Sequence, residues 1–283
     1  MSEDLILSVV KDRKWSDIDC YAISTSRCGF RGRKVMLVEN VEQLAIDELR
    51  LLGFEVISLK TTMSGLHFQS SRFFIAANYL GEHRGKFKNV IWTDAGDVVF
   101  QTDPALALER ILGSFQLVAV KEGWAIKNQA INDVWIKRLG LSPAEYESLR
   151  EEEVLCSGTI AGRSEAMLFL FVQIGAVLQR RPDEMQGIDQ GIFNRLIRTA
   201  PFNSITRIPE PEEGFATTLG IFLAPSDYGV WTIAPPRLDR ASGVAFTPNG
   251  VTPYAIMHQY NRNYGLLDPV GDWRGIVERR YRS

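Results

Sequence analysis

An α/β layer fold, with a mixed but mostly parallel central sheet flanked by helices, is the architecture this sequence predicts. Two observations carry it. Short apolar runs of strand length alternate along the chain with segments whose apolar residues recur at helical spacing. No internal repeat and no low-complexity linker interrupts that alternation.

Residues 19–24 (DCYAIS) are a short apolar run passing into the polar TSR, and read as a first strand ending in a loop. Residues 35–38 (VMLV) read as a second strand. Residues 41–52 carry apolar positions at helical spacing and end at Gly53, a residue suited to a helix C-terminus. Residues 54–59 (FEVISL) alternate as a strand does, 69–80 read as a helix, and 90–93 (VIWT) as a buried strand. Pro104 opens a helix over 104–112, where its missing N–H costs nothing. A strand over 115–120, a helix over 130–139 and an extended segment over 154–161 (VLCSGTIA) follow.

Residues 167–178 (MLFLFVQIGAVL) are apolar enough to be tested as a membrane span, but the run falls short of the ~18 residues a span needs. Ser164 suits its start, and Arg180 and Arg181 suit the negative end of its dipole, so it reads as a buried core helix. A helix over 188–198 follows. The last third is richer in Pro and Gly, with short strands expected at 231–233 and 254–257. In open α/β sheets ligands bind at the carboxyl ends of strands, so this loop-rich part is placed to carry substrate contacts.

Composition narrows the function classes. Of 283 residues, 45% are hydrophobic and 23% charged, as in a globular enzyme. Lys and Arg number 32 against 34 Asp and Glu, a net charge of −2, which argues against a dedicated nucleic-acid binder. Three cysteines, Cys20, Cys28 and Cys156, form no C-x-x-C pair and suit a reducing, cytoplasmic setting without structural zinc. The acidic Glu3 and Asp4, and an apolar stretch broken by Ser8, do not suit a signal peptide. Phosphate-loop, dinucleotide-fingerprint, nucleophile-elbow and H-E-x-x-H motifs do not occur.

The chemistry-bearing segment is VIWTDAGDVVFQTDP, residues 90–104. An apolar strand runs into Asp94 and Asp97, separated by Ala95 and Gly96. Two acids at a strand end make an oxygen site for Mg²⁺ or Mn²⁺, and equally a turn in which Asp94 caps local N–H groups. His258 follows another apolar run, and imidazole joins carboxylates as a ligand for Mn²⁺ or serves as a structural histidine. Ser157 and Gly158 are small residues that let a ligand approach the backbone, or simply a turn. Asp189 and Gln190 open a predicted helix, where Asp189 is a cap or a substrate contact. Arg72 and Arg27 offer planar donor forks suited to diphosphate oxygens. The basic end, residues 274–283, reads as a solvated tail or a final helix.

Taken in order, IWTDAGDVVFQTDP, LCSGTIAG, GIDQGIFNRLI and YAIMHQYNR resemble the metal-binding Asp-x-Asp region, the donor-sugar strand, the Asp-Gln helix and the C-terminal histidine segment of GT-A-fold nucleotide-sugar glycosyltransferases, glycogenin-like ones among them. The resemblance spans about residues 19–262. It implies a single GT-A-like, Rossmann-like catalytic domain over 1–283, with a nucleotide-binding half to about residue 120 and a sugar- and acceptor-binding half beyond it. It implies Asp97 and His258 as ligands of Mn²⁺ or Mg²⁺, with Asp94 a third ligand, a ribose contact or a group reaching the metal through water. A strict Asp-x-Asp would put its first acid at Ala95, so the motif here is D-x-x-D; many relatives have an Asn near Cys156 and Ser157.

The implied donor contacts are Ser24, Thr25, Arg27, Arg72, Asp94, Ala95, Ser157 and Gly158, with Asp189 and Gln190 as the catalytic pair. The implied reaction moves a sugar from a nucleoside-diphosphate sugar to a hydroxyl of a carbohydrate, glycolipid or small acceptor, with retention. Two other readings stay open. A nucleotidyltransferase would use STSRCGFRGRK, with Gly29 and Gly32, as a Gly-rich basic loop. A catalytically silent nucleotide- or sugar-binding protein would keep the fold without turnover.

Overall fold

The computed structural model describes residues 2–60, 67–180, 186–222, 231–262 and 271–283. The chain runs β1 (Glu3–Lys11), α1 (Trp15–Arg27), β2 (Arg33–Glu39), α2 (Gln43–Leu51), β3 (Glu55–Ser58), α3 (Phe68–Glu82), β4 (Phe87–Thr93) and β5 (Val98–Phe100). It continues α4 (Pro104–Leu112), β6 (Leu117–Ala125), α5 (Ala130–Arg138), α6 (Pro143–Arg150), β7 (Glu153–Arg163), α7 (Ser164–Gln179) and α8 (Ile188–Ile197). It closes with α9 (Phe202–Ile205), β8 (Thr206–Arg207), β9 (Ala216–Thr218), β10 (Arg237–Asp239), β11 (Val244–Phe246), β12 (Ile256–His258) and α10 (Trp273–Arg282).

The central sheet has seven strands in the order β3-β2-β1-β4-β7-β6-β8. The pairs β3/β2, β2/β1, β1/β4 and β6/β8 are parallel, and β7 runs antiparallel to both neighbours. Both faces are covered. Leu5, Leu7 and Val9 of β1 join one core cluster, Ile6 and Val10 the other, as the two-residue period of a strand dictates. On the first face the rings of Phe73, Trp92 and Phe171 meet at centroid distances of 5.2–5.6 Å. α7 supplies Phe171 with Met167, Leu170, Ile174 and Leu178, all buried. The apolar run is therefore a core helix, and no described helix is long and apolar enough to cross a membrane. Its start is capped by Arg163 without a side-chain bond rather than by Ser164. Arg181 lies outside the described residues.

The first strand is where the structure departs most from the sequence reading. Residues 19–24 lie in α1, and the strand is β1, upstream. Ser8, which interrupts the apolar run of β1, is fully buried and satisfied: its hydroxyl lies 2.7 Å from Tyr21 Oη and donates to the Thr93 carbonyl at 2.8 Å. A hydrogen-bonded Ser in a core strand costs little, so its polarity does not break the strand. Helix α6, opened by Ser142 as cap and Pro143 in its first turn, was not anticipated. Residues 231–233 form no strand, and the last core strand is 256–258. The basic end is the helix α10. Its Trp273, Val277 and Tyr281 are buried, and Arg282 donates to Asp19 of α1 at 2.7 Å.

A second sheet, β5-β12-β9, stands beyond the end of β4. Its register sets His258 opposite Val98, the residue after Asp97. Pairing of β12 with β5 is thus what delivers a histidine from the far end of the chain to the acids.

Candidate functional site

β4 is a buried strand that ends at Thr93, and Asp94-Ala95-Gly96-Asp97 turn the chain into β5. β7 lies antiparallel beside it, with Thr159 opposite Thr93, and the Asp94 N–H donates to the Gly158 carbonyl at 2.9 Å. Asp94 and Asp97, from the turn between β4 and β5, converge with His258 of β12, each with one ligand atom within 4.8 Å of the others. His258 Nε2 lies 3.5 Å from Asp97 Oδ1 and 3.7 Å from Asp94 Oδ2.

The group fits a divalent cation on two observations. The donors are two carboxylates and an imidazole, a set suited to Mn²⁺ or Mg²⁺. His258 Nε2 is buried and makes no hydrogen bond, a costly state unless something binds there. Burial alone would raise the Asp97 pKa, but the imidazole at its side holds it below the usual range. Burial alone would lower that of His258, but Cys156 and Asp97 push it well above the ordinary value. Without a cation the acids thus retain a proton on His258, which a metal ion would have to displace.

Beside this group stands Arg72 of α3. Its guanidinium bonds to Asp94 Oδ1 and reaches Asp189 Oδ2 at 3.3 Å, while its carbon lies over the rings of Phe73 and Trp92. Asp189, in the first turn of α8, is 2% exposed. Burial raises its pKa and Arg72 opposes that rise. The helix cap is Gly187, not Asp189. Ser157 ties the parts together: its hydroxyl donates to Asp189 Oδ2 at 3.3 Å and its N–H to Gln190 Oε1 at 3.2 Å.

These residues line two adjoining hollows that share Gln69, Arg72 and Asp94. One, about 330 Å³, also has Ala95, Gly96, Asp97, Arg13 and Asp17 on its wall. The other, about 500 Å³, has Ser157, Gly158, Asp189, Gln190, His258 and Trp135. The nine residues between 72 and 258 expected at the site line one continuous cleft: Arg72, Asp94, Ala95, Asp97, Ser157, Gly158, Asp189, Gln190 and His258. Cys156 lies buried just behind, its Sγ 3.2 Å from His258 Nδ1.

Ser24, Thr25 and Arg27 are elsewhere. Ser24 and Thr25 are buried in α1, and both hydroxyls donate to the Tyr21 carbonyl. The loop that follows, with Gly29 and Gly32, packs on the start of β1: a Cβ on Gly32 would fall 2.2 Å from the Asp4 carbonyl oxygen. That is the amino end of the sheet, opposite the cleft, so STSRCGFRGRK does not form a phosphate-facing loop there. The residues after the true first strand, Arg13 and Asp17, hold the position by the cleft instead. Gln69 and Trp135, on the wall of the larger hollow, also escaped the sequence reading.

Gly158 is required by space. A Cβ there would lie 2.6 Å from Asp94 Oδ2 and 3.0 Å from His258 Cε1. Gly158→Ala is therefore expected to displace two members of the cation group at once. Titration with Mn²⁺ should show affinity reduced roughly tenfold or more, as when groups that orient ligands are disturbed. Affinity equal to wild type would refute this.

No protein-family model matches the sequence, and neither does any curated protein sequence. Solved structures do match. The galactosyltransferase LgtC in complex with donor and acceptor sugar analogues superposes with a TM-score of 0.57 at 13% identity, over 97% of this chain and 95% of that one. The bifunctional glycosyltransferase WbbM superposes with 0.56 at 15% identity, over 100% of this chain and 52% of that one. The glycosyltransferase GlyE of Streptococcus pneumoniae TIGR4 gives 0.55 at 15% identity, over 100% of this chain and 64% of that one. The chain therefore has the GT-A fold seen in glycosyltransferases, with a mixed, mostly parallel sheet between helices.

Proposed function

We propose that the protein is a metal-dependent glycosyltransferase that moves a sugar from a nucleoside-diphosphate sugar to a hydroxyl of a carbohydrate, glycolipid or small acceptor, with retention at the anomeric carbon. The observation that carries the reading is the meeting of Asp94, Asp97 and His258 with Arg72, Asp189 and Gln190 in one cleft. Asp97, His258 and Asp94 would hold the cation, which when bound supplies positive charge for a diphosphate leaving group. Residues to about 120 would serve the nucleotide and those beyond it the sugar and acceptor.

The chain's own groups divide the remaining work. Arg72, whose guanidinium is held by Asp94 and Asp189, adds fixed positive charge beside the diphosphate without reorganising. Ser157, Asp189 and Gln190 present hydrogen-bonding groups to sugar hydroxyls in the larger hollow. The carboxylates among the described residues of that hollow, Asp94 and Asp189, are both tied to Arg72, and neither is free to act as a general base. That supports retention by attack on the leaving-group face. The acceptor oxygen bonds to the anomeric carbon as the bond to diphosphate breaks, and the acceptor proton passes to the departing phosphate oxygen. Three free cysteines support a reducing, cytoplasmic setting.

A thermal-shift screen of nucleoside diphosphates and their sugar conjugates tests the reading. Ligand at 100-fold excess over its dissociation constant stabilises by ~2.7 kcal/mol. A Mn²⁺-dependent shift with one nucleotide, followed by release of its diphosphate on turnover, is expected. Release of pyrophosphate instead would indicate nucleotidyl transfer. Binding without turnover would indicate a silent binding protein.

A further inference from the structure

The larger hollow has two unlike walls. Ser157, Asp189 and Gln190 make one of them polar, and Ile131 and Trp135 of α5 make the other apolar. Four residues apart on one helix, Ile131 and Trp135 share a face. Ile131 is 44% exposed and Trp135 half-buried, whereas the neighbouring Ile136 is buried in the core. The core side of α5 is thus covered, and its side toward the hollow presents open apolar surface.

The indole is held in place. Its N–H donates to the Gln186 carbonyl at 3.0 Å. The absence of side chains at the start of α8 makes room for it: a Cβ on Gly187 would fall 2.2 Å from Trp135 Cζ2, and one on Gly191 would fall 3.1 Å from Trp135 Cβ. Asn132, on the same helix, is buried and accepts from Gln190 Nε2 at 3.0 Å. α5 therefore fixes the tryptophan and the Gln190 amide in one frame. With its N–H already used, Trp135 offers the hollow only carbon.

A ligand seated there meets both walls. An acyl chain suits the apolar wall but desolvates the polar one, which is costly. A pyranose has both parts: hydroxyls around its rim and C–H bonds over one face, and those C–H bonds complement the negative π surface of an aromatic ring. Ile131, Trp135, Gln186 and Gly187 border the larger hollow and not the smaller one, where Asp97 lies. They stand apart from the diphosphate position and suit an acceptor rather than the donor.

We infer that Ile131 and Trp135 form the acceptor subsite, and that the acceptor ends in a sugar ring whose apolar face lies against the indole. The inference rests on the glycosyltransferase reading of the cleft and narrows its acceptor class.

Methyl β-glucopyranoside, methyl β-galactopyranoside and octyl β-glucopyranoside, added in turn to protein loaded with Mn²⁺ and the nucleoside diphosphate selected by thermal shift, test it. NMR follows the indole N–H signal of Trp135, assigned by its loss in Trp135→Phe, and saturation transfer from protein to ligand protons. The Trp135 signal is expected to shift with at least one methyl glycoside, and ring C–H protons of that sugar should receive saturation. Trp135→Ala and Ile131→Ser should weaken binding of that sugar roughly tenfold and roughly threefold, with nucleotide affinity retained. Ile131 is exposed, so Ile131→Ser leaves the packing of α5 on α8 in place and separates a lost contact from a disturbed helix. Nucleotide binding with no methyl glycoside at Trp135 overturns the inference alone. Saturation of the octyl chain without the glucose ring overturns it in favour of a lipid acceptor. Wild-type sugar affinity in both variants also overturns it. No nucleotide binding by the wild type overturns the glycosyltransferase reading and the inference with it.

Discussion

Asp97→Ala is expected to abolish Mn²⁺ binding and to reduce transfer by about 10³-fold or more, since charge stabilisation by a metal is worth several kcal/mol and each 1.36 kcal/mol is tenfold in rate. Asp97 faces His258 Nε2 at 3.5 Å, nearer than Asp94 at 3.7 Å. The fold should survive, because Asp97 stands in the turn between β4 and β5 and takes no part in the packing of either core face. Circular dichroism unchanged, Mn²⁺ affinity lost and activity lost together would be the pattern. A variant that still turns over at wild-type rate with Mn²⁺ would show that the cation, if it is used, binds elsewhere.

Arg72→Ala should combine a loss of donor binding with a loss of stability. The guanidinium bridges Asp94 and Asp189, and Asp189 is 2% exposed. Removing one partner of a buried ion pair costs about 3 kcal/mol when the other charge is stranded. The deficit should depend on pH, and its sign is fixed. Burial already raises the Asp189 pKa, and losing Arg72 raises it further. A carboxyl whose folded pKa lies above its unfolded value of about 3.9 destabilises the native state progressively as pH rises between the two values. The variant's deficit is therefore smallest near pH 4 and grows toward neutrality. Denaturant melts of variant and wild type across that range check this. A deficit that does not change with pH would mean that Asp189 is not the group left stranded.

Much of the cleft was legible because its residues sit where an apolar run stops. Asp94 follows VIWT, Ser157 and Gly158 fall within a small-residue strand, and His258 closes YAIM. Interruptions of that kind carry chemical information, since acids and imidazoles are costly at strand ends without a partner. The β1/α1 region was misread for the same physical reason turned around. Ser8 looked like an interruption, yet Tyr21 and Thr93 satisfy it from elements 13 and 85 residues away. Ser24 and Thr25 looked like a strand end, yet their hydroxyls return to the backbone of their own helix. The pairing of β12 with β5, which puts His258 beside Asp97, is a long-range contact with no local trace.

The account stands on the cation group. Diffraction from crystals grown with Mn²⁺ and the nucleoside diphosphate selected by thermal shift, collected where manganese scatters anomalously, tests it directly. The expected result is a single strong anomalous peak roughly 2.2 Å from an Asp97 oxygen and from His258 Nε2, between the distances usual for Mg²⁺ and Ca²⁺, with the diphosphate against it and beside Arg72. A nucleotide bound in the cleft with no manganese between Asp94, Asp97 and His258, or a peak elsewhere, would contradict it.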